Sequence, residues 1–202
     1  YYDFETIIFS HTDSTPWARS FLKYILSSDE WSLIYFDEYF VVLIPRTALE
    51  SYDIKAISGN QEFSDRLELL LERANLKSQI QLAALASVYG DWQLAESIYL
   101  HAGEKYPKYN KLNLLLAYLY SNLNTPNYLY RSIFYFNKAV SNQPSWPGVY
   151  NDLALIYWRL EDYNRAENFW QKSLKKNRAD RTALYYLEQI KDLRKDGLLP
   201  AN

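Results

Sequence analysis

The sequence predicts a mainly α-helical chain of repeated helical hairpins, preceded by a small α/β unit. Three observations predict it. Small and aromatic residues recur in a fixed order between residues 76 and 196, with a spacing near 34. Helix breakers punctuate that stretch at Gly90-Asp91 and at Asn124–Asn127, with Pro107 and Pro144 as stops. Residues 1–50 carry short β-branched and aromatic runs instead. The expected division is a lead-in unit over 1–50, a linker and bridging helix over 51–75, and a repeat domain with a capping helix over 76–202.

Taken in order, Thr6–Ser10 reads as a short strand. Pro16 opens a helix capped by Ser14 or Thr15, with Trp17, Phe21, Tyr24 and Ile25 on one face. Ser27-Ser28-Asp29 ends it. Trp31–Phe36 and Tyr39–Ile44 read as two strands joined by a tight turn at Asp37-Glu38. Fifty residues are marginal for an independent core, so this unit is expected to dock on the helices that follow. Ser51–Gly59 reads as a linker. Phe63–Ala74 then forms a helix with Phe63, Leu67, Leu70, Leu71 and Ala74 inward, and Asn75 breaks it.

The repeats start at Leu76. In the first, Leu82 and Ala83 lie on helix A; Ala95, Tyr99 and Ala102 lie on helix B. Spacings of four and three put the latter trio on one face, and two small residues flanking one aromatic let helices approach closely. The second carries Leu116, Ala117 and Tyr120, then Ser132, Phe136 and Ala139. The third carries Tyr150, Leu153, Ala154 and Tyr157, then Ala166, Trp170 and Ser173. Ala83 to Ala117 is 34 residues and Leu116 to Leu153 is 37, the extra three falling in the Ser121–Arg131 turn. Thr182–Lys195 supplies a capping helix with Leu184, Leu187 and Ile190 inward and Glu188, Lys191, Asp192, Arg194 and Lys195 outward. Gly197 and Pro200 end the order.

This pattern resembles the tetratricopeptide repeat (TPR) signature over roughly 76–196. The resemblance implies an α-solenoid whose helices A line a concave groove. Helix A positions outside the packing signature would then face that groove: Ile80, Ala84 and Val88; Leu114, Tyr118 and Asn122; Asn151, Leu155 and Trp158. Tyr185 and Gln189 extend the row into the capping helix. The row is apolar and aromatic with a few amides, which suits an extended or helical protein segment. It does not suit the carboxylate clamp of chaperone-binding repeats. The positions matching that clamp are Ile80, Ala84, Leu115, Gly148 and Asp152, and none is basic. The bland alternative is a groove filled by the lead-in hairpin or by a second copy of the chain.

A second resemblance is confined to the lead-in. Trp31-x-Leu33-Ile34-Tyr35-Phe36-Asp37-Glu38, followed by Val41-Val42-Leu43-Ile44-x-Arg46, looks like the soluble C-terminal region of bacterial polytopic membrane proteins similar to protein mannosyltransferases. It implies a soluble tail of a membrane-embedded glycosyltransferase that positions an acceptor or partner, on the extracytoplasmic face of a bacterial membrane. Any buried hairpin would share this composition.

Composition narrows the remaining classes. A net charge of −2 lacks the basic excess of a dedicated nucleic-acid binder. The charge is uneven: residues 1–58 hold nine acids and four bases, whereas 164–196 hold nine bases and five acids. Cysteine is absent, which removes disulfides and thiolate metal sites. Methionine is also absent, so Tyr1 reads as an internal boundary of a longer protein. No run of 18 apolar residues suggests a membrane span. The two histidines, His11 and His101, lie far apart, and no metal motif or glycine-rich phosphate loop occurs. His11-Thr12-Asp13 follows a strand end and could nucleate hydrolytic chemistry, but so short a His–Asp turn is more often turn chemistry. His101 reads as structural. The expectation is a module with no catalytic residues, no metal and no cofactor, whose partner is a protein or peptide and which could self-associate.

Overall fold

The computed structural model describes residues 5–142 and 148–199. The stops read at Pro144 and Pro200 lie outside the described residues. Contacts divide the chain into two compact units, Tyr1–Pro107 and Lys108–Asn202.

The first unit opens with β1 (Ile7–Ser10), α1 (Pro16–Leu26), β2 (Trp31–Phe36) and β3 (Phe40–Pro45). The strands form an antiparallel sheet in the order β1-β3-β2, with an irregularity in the β2–β3 register between Leu33 and Tyr35. Leu33, Phe36, Val41 and Leu43 are buried. The turn is held by Asp37, whose Oδ1 accepts the backbone N–H groups of Tyr39 and Phe40 at 2.7 and 2.8 Å.

Helix α1 starts as expected, with Pro16 in its first turn and the Thr15 hydroxyl accepting the Ala18 N–H. Its buried face is different from the expected one. Ala18, Leu22 and Ile25 are buried, whereas Trp17 is 65% and Tyr24 67% exposed. Ala18, Leu22 and Ile25 also share a face, and the smaller side chains let α1 approach both β2 and α4 (Leu76–Tyr89). The displaced aromatics gather at its edge, where Phe9, Trp17 and Phe21 lie 5.0–5.9 Å apart between ring centroids.

The expected linker contains a one-turn helix, α2 (Ala48–Ser51). Helix α3 spans Asn60–Leu71, three residues ahead of the expected span. Asn75 does more than break it: its side chain accepts the Ser78 N–H and caps α4. Phe63 on α3 is fully buried. Its ring lies 4.7 Å from Phe36 and stacks on Tyr89 at 3.8 Å with 3° between planes. The Ser64 hydroxyl donates to Asp91, and the Ser78 hydroxyl donates to Glu38 of the β2–β3 turn. The lead-in and the first hairpin, α4 with α5 (Trp92–Lys105), therefore share one core.

The second unit contains α6 (Lys111–Leu123), α7 (Pro126–Asn142), α8 (Val149–Arg159), α9 (Tyr163–Lys176) and α10 (Arg181–Lys195). Helices α6–α7 and α8–α9 form hairpins, and α10 packs on α9. Ala117, Phe136, Ala139, Leu153, Ala154, Ala166, Trp170, Ala183 and Ile190 meet in one core at 0–1% exposure. Alanines at the crossings admit the bulky Phe136 and Trp170, as large and small residues must alternate at close helix contacts. The inward positions of α10 are Ala183 and Ile190, with Tyr186 and Leu187 partly buried. Leu184, expected inward, is 50% exposed, because Ala183 occupies the close approach one position earlier.

Two hairpin turns repeat in backbone detail. Gly90 (φ 108) and Glu161 (φ 60) both take the left-handed region. Asp91 and Asp162 follow with φ/ψ of −87/75 and −87/73. Each aspartate caps the next helix through its side chain, and each donates its N–H to the carbonyl five residues back at 2.9 Å. Their separation, 162 − 91 = 71, is the sum of the 34- and 37-residue steps in the sequence. The fold is mainly α, with repeated helical hairpins and a small three-stranded sheet ahead of them.

Candidate partner-binding surface

The expected groove row behaves differently in the two units. In the first, Ile80 and Ala84 are half-buried, and Lys77 is the one exposed side chain between Leu76 and Tyr89. Helix α4 has α5, α1 and α3 packed around it. An amphipathic helix keeps a wet face, and α4 has almost none. None of its groove positions is exposed.

In the second unit, Tyr118 is 43% exposed, Asn122 is exposed and Tyr185 is 60% exposed. Leu155 and Gln189 are half-buried. Leu114 is not a surface residue: it is 5% exposed and belongs to the core. It lies one turn ahead of Tyr118. Trp158 is largely a packing residue. Its ring contacts Tyr163, Trp170 and Tyr186 at centroid distances of 4.9, 5.9 and 5.2 Å. Asn151 faces α10, donating from Nδ2 to Asp180 Oδ2 at 2.6 Å. Asp180 also accepts the Ser173 hydroxyl and the Ala183 N–H, so it pins α8, α9 and α10 at one point. Burial disfavours its charge, but these hydrogen bonds win and its pKa is lowered.

The geometry adds a residue that the groove row omitted. The Tyr118 hydroxyl donates to Asp152 Oδ2 at 2.8 Å, joining α6 to α8. Burial raises the pKa of the Asp152 carboxyl, and the Tyr118 hydrogen bond opposes that rise only in part. Burial likewise raises Tyr118, reinforced by the neighbouring carboxylate charge and its hydrogen bond. The Tyr118 and Phe136 rings are perpendicular, 5.2 Å between centroids and 89° between planes, so both the ring and the hydroxyl of Tyr118 are held. Near the other end of α8, Arg159 Nη1 donates to the Ser121 carbonyl and hydroxyl at 3.1 and 3.2 Å. The step between these two repeats is 37 residues, so Tyr118 aligns with Leu155, and Asp152, 34 residues from Tyr118, lies about one turn ahead of that position. Equivalent helix positions in stacked repeats are neighbours.

The other candidates disperse. His11 is buried, with Nε2 2.9 Å from the Asp37 carbonyl, and burial lowers its pKa. Asp13 instead accepts the Thr15 N–H at 2.8 Å, so the two do not form a catalytic couple. His101 is exposed on α5 rather than packed. Among the described residues no group of three or more His, Asp or Glu could hold a metal. None of the described helices is long and apolar enough to cross a membrane. A shallow depression of about 400 Å³ lies at the α8–α9 turn, lined in part by Tyr130, Tyr157 and Arg165. Arg165 there is already paired with Asp162 at 3.1 Å.

No protein-family model matches this chain, and no curated protein matches it. Among solved structures it is similar to the MamA protein, with 17% identity and a TM-score of 0.49 over 59% of this chain and 64% of that one. It is also similar to a monomeric mutant of IFIT1 with Gppp-AAAA, with 18% identity and a TM-score of 0.49 over 63% of this chain and 37% of that one. The chain thus spans less than two thirds of the length of either.

Proposed function

We propose that the chain is a non-catalytic interaction module whose second unit binds a protein segment across α6, α8 and α10. One observation carries this reading: Tyr118 is 43% exposed while its hydroxyl is tied to Asp152 and its ring packs perpendicular to Phe136. An immobilised aromatic loses little entropy when a partner covers it, and such residues dominate protein interfaces. Tyr185 and Leu184, at 60% and 50% exposure, add apolar surface on α10. A nucleic-acid partner fits poorly, because the charge beside Tyr118 is the Asp152 carboxylate.

The alternative reading, a soluble tail of a membrane glycosyltransferase, draws on Trp31–Arg46 alone. In that segment Leu33, Phe36, Val41 and Leu43 are core residues, and packing accounts for them. The interaction reading is therefore preferred.

A random 12-residue peptide display library panned against residues 1–202 tests it. Enriched peptides that bind the native chain and are lost on Tyr118→Ala/Tyr185→Ala, with the variant still folded, support the surface. No enrichment, or retention by the double variant, overturns it.

A further inference from the structure

We propose that the segment bound by the second unit carries an arginine or lysine side chain, which pairs with Asp152 beside the ring of Tyr118. This rests on the interaction reading above and names the chemistry of its partner.

Among the described residues the Asp152 carboxylate has no counter-charge. Asp152 is half-buried, and its resolved interaction is the single hydrogen bond from Tyr118. No basic side chain among the described residues pairs with it or stabilises its charge. The segment just ahead of α8, Gln143-Pro144-Ser145-Trp146-Pro147, contains no base either. Arg159, seven residues further along α8, is engaged with Ser121 of α6.

The other partly buried acids of this unit are satisfied. Glu167 meets Arg194 through two hydrogen bonds of 3.0 and 2.6 Å. Asp180 has Ser173, Asn151 and the α10 N-terminus. Asp152 stands apart. A partly buried carboxylate without a cation costs stability, and that cost is recovered when a cation arrives.

A metal ion is a poor candidate, since no cluster of ligating side chains accompanies Asp152 among the described residues. An organic cation fits better. Tyr118 offers a fixed aromatic ring next to the carboxylate, on a side chain that is 43% exposed. A guanidinium or ammonium can hydrogen-bond the acid and lie against the ring together. The site has the opposite sign from the basic clamp that TPR proteins use for C-terminal carboxylates.

The test extends the peptide selection. Peptides enriched on the native chain should contain Arg or Lys at one recurrent position. Replacing that residue by Gln should weaken binding about tenfold, the size expected for one charge-assisted hydrogen bond. Asp152→Asn keeps the shape and the Tyr118 partner, and should erase the preference for a base at that position. Asp152→Lys should turn the preference acidic. Thermal unfolding of each variant verifies folding. If peptides bind at the Tyr118 surface with no basic preference, or keep that preference in Asp152→Asn, this inference fails and the interaction reading stands. If no peptide is enriched, both fail. If the native chain instead self-associates and Asp152→Asn abolishes that in sedimentation, the base comes from a second copy and the pairing at Asp152 stands.

Discussion

Removing the Phe63 ring should unfold the first unit at much lower denaturant. Phe63 is fully buried and touches three parts of that unit: its own helix, Phe36 of the sheet and Tyr89 of the first hairpin. Phe63→Ala leaves a ring-sized cavity and should cost about 3–5 kcal/mol. Small domains hold only about 5–15 kcal/mol in total, so this loss is a large fraction. Phe63→Leu keeps most of the volume but forfeits both ring pairs, at about 0.5–1.5 kcal/mol each. The expected order is therefore native, then Leu, then Ala. Urea unfolding followed by far-ultraviolet circular dichroism measures the loss. Hydrogen exchange with mass spectrometry locates it: amides of β2, β3, α3 and α4 should lose protection together. Two results would refute the reasoning. One is a Phe63→Ala variant within about 0.5 kcal/mol of native. The other is loss of protection confined to α3, which would mean that sheet and hairpin do not share this core.

Other substitutions probe the second unit. Ala154→Leu overfills the core that Ala154 shares with Trp170 and Ala183, and calorimetry should show destabilisation of about 1–3 kcal/mol; an unchanged melting temperature would contradict the repeat register. Asp180→Ala removes the α10 cap and the partners of Asn151 and Ser173, and should cost about 1–2 kcal/mol by denaturant titration. Because the folded pKa of Asp180 is lowered, its contribution is present above the unfolded value and fades as pH falls below about 4, so native and Asp180→Asn unfolding curves should converge in acid. Asp152 has the opposite sign: its folded pKa is raised, so its ionised form opposes folding at neutral pH and not below the unfolded pKa. Asp152→Asn should therefore melt at or above the native temperature at pH 7, with any gain disappearing near pH 3; a clear loss of stability at pH 7 would contradict an uncompensated charge.

Much of the candidate surface was legible because repeat spacing is a geometric statement. Residues one period apart occupy equivalent helix positions, so Tyr118, Asn122 and Tyr185 could be placed on one kind of face from numbers alone. What that spacing could not show was depth. Leu114 and Trp158 have groove-facing periodicity, yet neighbouring helices close over Leu114 and aromatic rings surround Trp158. A helical face is wider than one residue, and whether its edge is wet depends on what packs beside it. The same ambiguity misplaced the face of α1. Two sets of residues satisfied the period, and apolarity favoured Trp17 and Tyr24; close approach to β2 and α4 favoured Ala18 and Leu22.

By itself the sequence determined the hairpin repeats, their unequal 34- and 37-residue steps, the start of α1 at Pro16 with its cap at Ser14 or Thr15, and the strand–helix–hairpin order of the lead-in. These follow from local physics: side-chain periodicity, capping hydrogen bonds and backbone preferences act within a few residues. Tertiary structure alone decided that α1 and α3 wrap α4, that Phe63 joins the sheet to the first hairpin, and that Asp152 has Tyr118 and, among the described residues, no cation. Burial and charge compensation are properties of neighbours brought together from distant positions, and no single stretch of chain encodes them.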